Sequence, residues 1–357
     1  MTYHADTQLI AVDPLSPDEA AIARAADVLR HGGLVAFPTE TVYGLGANAF
    51  NSLAVSHIFQ AKGRPASDPL IVHVASTLQL TEVALDVPPL AWLLVAEFWP
   101  GPLTLVLRRG YDVPPSVSAG ANTVAVRMPR HPVASALITA AQLPVAAPSA
   151  NLFARPSPTT AQHVLEDLNG RVDLILDGGP TSIGIESTVL DLTGVTPRVL
   201  RPGGITLEQL QTAIPAITYT SQYLDEQATA AGPGMLLKHY SPRAEVVLFD
   251  GPPAATLAEL RAEVESALAA GRRVGLMVVD DDLPALRDLP VELAPLGPTA
   301  DASEAAQRLF AALRSLDARG VDVIFARSLP RTGLGLAVWD RLVRAAEGRV
   351  IPVTGDA

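Results

Sequence analysis

Leu103-Thr104-Leu105-Val106-Leu107 is followed, with no helical period between, by Thr123-Val124-Ala125-Val126-Arg127-Met128. Both are short apolar runs with the length of strands. Farther on, the runs at 174–177, 187–192 and 198–201 again succeed one another without a helix. A sheet fed in this way is mixed, because an all-parallel sheet needs a crossover helix between neighbours. The pattern predicts further strands at 34–37, 70–74 and 145–148, and helices at 53–61, 88–98, 131–141 and 159–168. The first helix opens at Ser16-Pro17-Asp18-Glu19, read as N-cap, first-turn proline and capping box. Ile22, Ala25, Ala26 and Leu29 form its apolar stripe, and Gly32-Gly33 stops it.

The periodicity lapses between 216 and 244, which predicts a linker. It resumes with strands at 246–249, 273–279 and 321–326 and helices at 256–270, 301–319 and 334–347, the alternation of a small, Rossmann-like doubly wound α/β domain. The expected organisation is a first domain at 1–215, a linker at 216–244 and a second domain at 245–357.

Composition narrows the function. The chain has 357 residues, 26 basic and 37 acidic side chains, and net charge −11. Neither half is basic, so holding nucleic acid through its phosphates is disfavoured. There are no cysteines, which excludes disulfides, thiolate catalysis and cysteine-bound zinc. No apolar run reaches the ~18–20 residues of a membrane span, and the N-terminus has no secretory pattern, so a cytoplasmic protein is expected. No histidine pair has metal-ligand spacing, and no metal ligand is expected from the protein. Walker, GxGxxG and GxSxG motifs are lacking, and Gly44-Leu45-Gly46 alone points to nothing specific.

Several residues invite chemistry. On the strand at 123–128, Val124, Val126 and Met128 face one side, while Thr123, Ala125 and Arg127 face the other. If that second face is covered, Arg127 needs an anion; if not, it is a solvated strand face. Ala147 and Ser149 share a face of small residues, followed by Asn151, where either a ligand or a helix could approach. Lys62-Gly63-Arg64 ends a helix, where two cations either hold a phosphate or carboxylate or merely offset the helix dipole. The chain writes Arg almost everywhere, and only Lys62 and Lys238 are lysines, which favours a specific task for Lys62. His73, inside an apolar strand, reads as a core histidine, and Arg201-Pro202-Gly203-Gly204 as a turn.

Together, residues 38–49 (PTETVYGLGANA), 62–73 (KGRPASDPLIVH), 123–129 (TVAVRMP), 148–159 (PSANLFARPSPT), 186–192 (ESTVLDL) and 201–204 (RPGG) resemble the YrdC-type threonylcarbamoyl-adenylate synthases. Residues 233–242 (PGMLLKHYSP) and the α/β segment beyond are similar to the long, two-domain branch of that family, and the resemblance spans 15–357. It implies a YrdC-like twisted mixed sheet with flanking helices. It also implies an enzyme that condenses L-threonine, bicarbonate or CO2, and ATP with Mg2+ to threonylcarbamoyl-AMP and pyrophosphate. Downstream threonylcarbamoyl-transferase proteins would then modify the adenosine next to the anticodon of tRNA; tight tRNA binding is not expected.

By motif position the resemblance implies Thr41, His73, Arg127, Ala147 and Ser187 around threonine. It implies Arg64, Asp68, Thr123, Ser149, Asn151, Ser157, Arg201 and Tyr240 around ATP, with Lys62 and Arg64 as the catalytic cations. The family pattern leads one to expect Asn at position 68, and an Asp there would repel a triphosphate unless Mg2+ or Lys62 lay between. Lys238, His239 and Tyr240 are expected to cover the cleft. The alternatives are a non-catalytic RNA-binding module of the same type, another carbamoyl-transfer enzyme, and a regulatory role for the second domain.

Overall fold

The computed structural model describes residues 3–221, 237 and 240–354, and these fall into two compact units. The first takes residues 3–153 and 157–221; the second takes Ala154–Pro156, 237 and 240–354. Among the described residues no helix is long and apolar enough to cross a membrane.

The first unit contains the strands β1 (Gln8–Ala11), β2 (Val35–Phe37), β3 (Gly44–Asn48), β4 (Ile71–His73), β5 (Ala84–Leu85) and β6 (Leu103–Arg109). It continues with β7 (Thr123–Arg127), β8 (Val145–Ala146), β9 (Leu174–Asp177), β10 (Thr188–Asp191) and β11 (Arg198–Arg201). Its helices are α1 (Glu19–Arg30), α2 (Ser52–Lys62), α3 (Thr77–Val83), α4 (Pro89–Phe98), α5 (Pro132–Ala141), α6 (Ala161–Leu168) and α7 (Leu207–Ala213). The strands form one sheet in the order β1-β9-β2-β3-β8-β4-β7-β6-β10-β11, with β5 paired to β6. It is mixed: β4 and β7 run parallel, while β6 and β7 pair antiparallel.

Alternation along β7 sorts the faces as expected. Val124 and Val126 enter the larger core with residues of α2, α4 and α6, whereas Ala125 joins Ile71, Val106, Val189 and Leu200 on the other face. That second face also carries the core built by α1 and α5 against Val35, Phe37 and Val145.

Some expectations are corrected. The N-cap of α1 is Asp18, whose carboxylate accepts from the Ala21 N–H, and not Ser16. Ser16 instead donates its backbone N–H to Asp13. Asp caps as well as Ser does, so local chemistry allowed either start. Residues 44–48, to which the sequence assigned no element, are the strand β3. Its glycines hid the pattern, but they are needed there: a Cβ on Gly46 would lie 2.7 Å from Val145 and 2.8 Å from Phe37. Helices α3 and α7 and the edge strands β1 and β5 were not foreseen.

The second unit is a five-stranded parallel sheet: β12 (Glu245–Asp250), β13 (Val274–Val278), β14 (Glu292–Pro295), β15 (Val323–Arg327) and β16 (Val350–Pro352), in the order β14-β13-β15-β12-β16. Helix α8 (Pro253–Ala269) packs on the face bearing Phe249 and Leu276, and α9 (Ala302–Ala318) approaches Gly275 on the opposite face. Numbered within the unit, the order is 3-2-4-1-5, so the fourth strand lies where the dinucleotide-binding order 3-2-1-4-5 places the first. Helix α10 (Gly335–Ala345) buries Asp340 between Arg341 and Arg344, all three inaccessible to solvent.

Candidate functional site

The first unit concentrates its buried polar groups on the face of Ala125. Parallel pairing of β4 with β7 sets His73 directly beside Arg127. Thr41 arrives from the turn between β2 and β3, where the Thr39 hydroxyl accepts from the Thr41 and Val42 N–H groups and fixes the turn. Arg127 is therefore on a covered face, with 3% of its surface exposed. Its Nε donates to the Gly101 carbonyl at 3.2 Å and its Nη1 to Thr41 Oγ1 at 2.9 Å, and Nη2 lies 2.7 Å from Glu40 Oε1. The anion that the sequence demanded for Arg127 is supplied within the chain by Glu40, which the sequence reading passed over although PTET contains it.

His73 is buried, with 3% of its surface exposed. Among the described residues its Nδ1 has no hydrogen-bond partner, and its ring meets Phe37 edge-on at 6.2 Å. Burial, and then the charge of Arg127, push its pKa down to about 3, so the imidazole is neutral at physiological pH. His131, the N-cap of α5, is also held below the usual histidine value by burial, against the opposing charge of Glu40.

Ala147 lies beside this group, its N–H donating to the Ile71 carbonyl. The following loop is pinned by Lys62, whose Nζ donates to the carbonyls of Ser149 and Asn151, each at 2.5 Å. Lys62 is the last residue of α2, which ends because Gly63 adopts φ +62°. A compact ammonium with three protons serves two converging carbonyls in a way that a planar guanidinium does not. Asn151 Nδ2 donates to the Leu152 carbonyl, and Ser149 is half-buried.

Arg64 and Asp68 form an ion pair at 2.9 Å, both almost fully buried. Arg64 also donates to the Asp68 and Pro69 carbonyls. Arg64, four residues back in the chain, places a positive charge against Asp68.

On β10 and β11, Arg201 donates through Nε and Nη2 to the Ser187 carbonyl and through Nη2 to its hydroxyl. Ser187 Oγ is 2.7 Å from Thr104 Oγ1, and Ser157 donates to Glu186 at 2.5 Å. Gly203 explains part of the RPGG turn, since a Cβ there would collide with the Glu186 carbonyl and the Ser187 backbone. Thr104 and Glu186 are further buried polar groups that sequence reading missed. Thr104 sits in a run that reads as plain strand, while Glu186 stood in a quoted block.

Thr123 shares the face of Arg127 but stands at the other end of β7, about 13 Å away at ~3.3 Å per residue. Tyr240 belongs to the second unit, where its buried ring packs on Phe310 at 5.1 Å and the Arg341 guanidinium lies 5.3 Å from its centroid. Lys238 and His239 lie outside the described residues.

Two family models match the chain. One, described as "Telomere recombination" and covering the Sua5, YciO and YrdC proteins, matches residues 27–203. The other, described as "Threonylcarbamoyl-AMP synthase, C-terminal domain", matches residues 205–347. A threonylcarbamoyl-AMP synthase of Pyrococcus abyssi is 47% identical over 344 residues, 94% of this chain and 97% of the relative. One of Bacillus subtilis is 46% identical, over 95% and 96% of the two chains. The crystal structure of P. abyssi Sua5 complexed with L-threonine superposes with a TM-score of 0.91 at 45% identity, covering 97% of this chain and all of that one. Matched along both units by relatives of this likeness, the chain belongs to the two-domain Sua5 branch of the threonylcarbamoyl-AMP synthase family.

Proposed function

We propose that the protein condenses L-threonine, bicarbonate and ATP to threonylcarbamoyl-AMP and pyrophosphate, in support of threonylcarbamoyl-adenosine formation in tRNA. The single observation that carries this reading is the near full-length likeness to curated threonylcarbamoyl-AMP synthases. The geometry of the first unit supports the assignment of roles. Arg127 is the cation for the threonine carboxylate, and Thr41 and Ser187 present hydroxyls for the threonine side chain. A site that hydrogen-bonds this hydroxyl rejects amino acids without it. Neutral His73 and Ala147 complete the wall.

Arg64, Arg201, Ser149, Asn151, Ser157 and Thr123 serve the nucleotide, and Lys62 acts by holding the loop that carries Ser149 and Asn151. Asp68 acts through Arg64, and Tyr240 keeps the ATP-binding role that its motif implies. Mg2+ would come with the nucleotide, with no protein ligand set for it among the described residues, and would supply charge neutralisation for the leaving pyrophosphate. The protein's work is positioning and charge compensation without a covalent intermediate. The carbamate oxygen attacks the α-phosphorus and pyrophosphate leaves. The product passes to a separate transferase that acts on tRNA, and the site of action is the cytoplasm.

The test is pyrophosphate release from ATP and Mg2+, with threonine or bicarbonate omitted in turn, and mass detection of the adenylate. Release that needs both, with the threonylcarbamoyl-AMP mass, is expected. Release without threonine, or none from folded protein, refutes the reading.

A further inference from the structure

Glu40 has no task in the roles given above. Only 3% of it is exposed, and its Oε1 lies 2.7 Å from Arg127 Nη2. Among the described residues neither of its carboxylate oxygens accepts a hydrogen bond. An ionised carboxylate offers about four acceptor sites, and burying it with those sites empty is costly unless a ligand fills them. Apart from the Arg127 Nη2 in the ion pair, no donor to this carboxylate is recorded among the described residues. Arg127 spends Nε on Gly101 and Nη1 on Thr41, and His73 is neutral.

A ligand that sets a carboxylate on Arg127 and a hydroxyl near Thr41 brings its α-ammonium within reach of the next residue along, Glu40. Carbamate formation requires a base there. Threonine enters as an ammonium, and only the free amine attacks carbon.

We propose that Glu40 is the general base that takes the proton from the threonine ammonium before carbamate formation. This rests on the threonine reading above. The N–H bond breaks toward the Glu40 carboxylate, which becomes the neutral acid. The free amine then forms the N–C bond with bicarbonate, whose hydroxyl departs as water with a second amine proton. The balance is threonine ammonium plus bicarbonate giving threonine carbamate, water and one proton on Glu40. Arg127 and His131 are the titratable groups recorded against this carboxylate, and His73 stands next to Arg127. Half-buried His131 feels the charge of Glu40.

The test separates two directions of the reaction. Forward synthesis from threonine, bicarbonate and ATP needs the base. The reverse step, threonylcarbamoyl-AMP plus labelled pyrophosphate to labelled ATP and carbamate, does not involve the amine proton. Glu40→Gln is expected to slow the forward reaction by roughly 10²–10⁴-fold, the usual worth of a general base, with the reverse step within about threefold of wild type. Equal loss in both directions makes Glu40 a support for Arg127 only and overturns the proposal, as does an unchanged forward rate.

Should Glu40→Gln fail to melt cooperatively, Glu40→Asp carries the same comparison. Its forward rate should fall at least about tenfold more than its reverse rate, and equal rates overturn the idea. Wild-type protein without threonine-dependent release overturns the proposed function, and the base with it. Loss confined to the variant in both directions overturns the base alone.

Discussion

Replacing His73 with glutamine should remove acid sensitivity from the first unit by an amount that the burial of the imidazole sets. In the folded chain desolvation, followed by Arg127, lowers the pKa of His73 from 6.5 to about 3. Below pH 6.5 the unfolded chain therefore binds a proton that the folded chain refuses. The stability associated with neutral His73 is fully present above 6.5 and is lost as pH falls toward 3. At about 1.4 kcal/mol per pH unit over roughly 1.5 units, the loss at pH 5 is about 2 kcal/mol. This figure is insensitive to the folded value so long as that lies well below 5.

Glutamine has no charge to gain, so between pH 7.5 and 5.0 the variant should lose about 2 kcal/mol less than the wild type. For a unit of more than 200 residues this is about 4–8 °C in Tm. Calorimetry of both full-length proteins in the absence of ligands, at the two pH values, gives the difference; the other histidines cancel. Equal losses would show that the imidazole is not kept neutral in the folded state.

Arg127→Met strands Glu40 as a buried charge and should cost about 3–5 kcal/mol in denaturant unfolding, while the double replacement with Glu40→Gln recovers much of it. A cost below about 1 kcal/mol would mean the pair is open to water. Gly203→Ala drives a methyl into the Glu186 carbonyl and should lower stability by about 3 kcal/mol or more, with loss of pyrophosphate release; a wild-type melting curve would refute this. Asp68→Asn unpairs Arg64 and should weaken the fold by about 1–3 kcal/mol, yet lower the KM for ATP by removing a negative charge. A raised KM would mean that the Asp68 carboxylate helps to hold the nucleotide.

The organisation of the chain was legible because local patterns carry it. The alternation at 123–128 assigned Val124 and Val126 to one core and Arg127 to the other face, and β7 realises both. The absence of an α-helical period between β6 and β7 told of a mixed sheet; only a four-residue 3-10 turn at Pro115–Ser118 lies between them, and they pair antiparallel. Gly44-Leu45-Gly46 gave no such signal. Glycine is a poor strand former by itself, and its place in β3 is dictated by Phe37 and Val145 on neighbouring strands.

The motif blocks told which residues to watch and left open what each one touches. Lys62, the lysine in an arginine-writing chain, turned out to serve two carbonyls of a loop nearly ninety positions away. Asp68, read as a repulsive oddity, is paired with Arg64 four residues back. The partner of Arg127 was hidden in plain view, because whether Glu40 is a solvated turn residue or a buried counter-charge depends on the sheet bringing it to β7. The sequence by itself determined most of the central strands, their faces and the family of motifs, since those follow from local patterns, while β1, β3 and β5 escaped it. Tertiary structure alone decided the ion pairs, the neutral His73 and the empty acceptor sites of Glu40, because desolvation and Coulomb energy depend on neighbours that the chain meets only when folded.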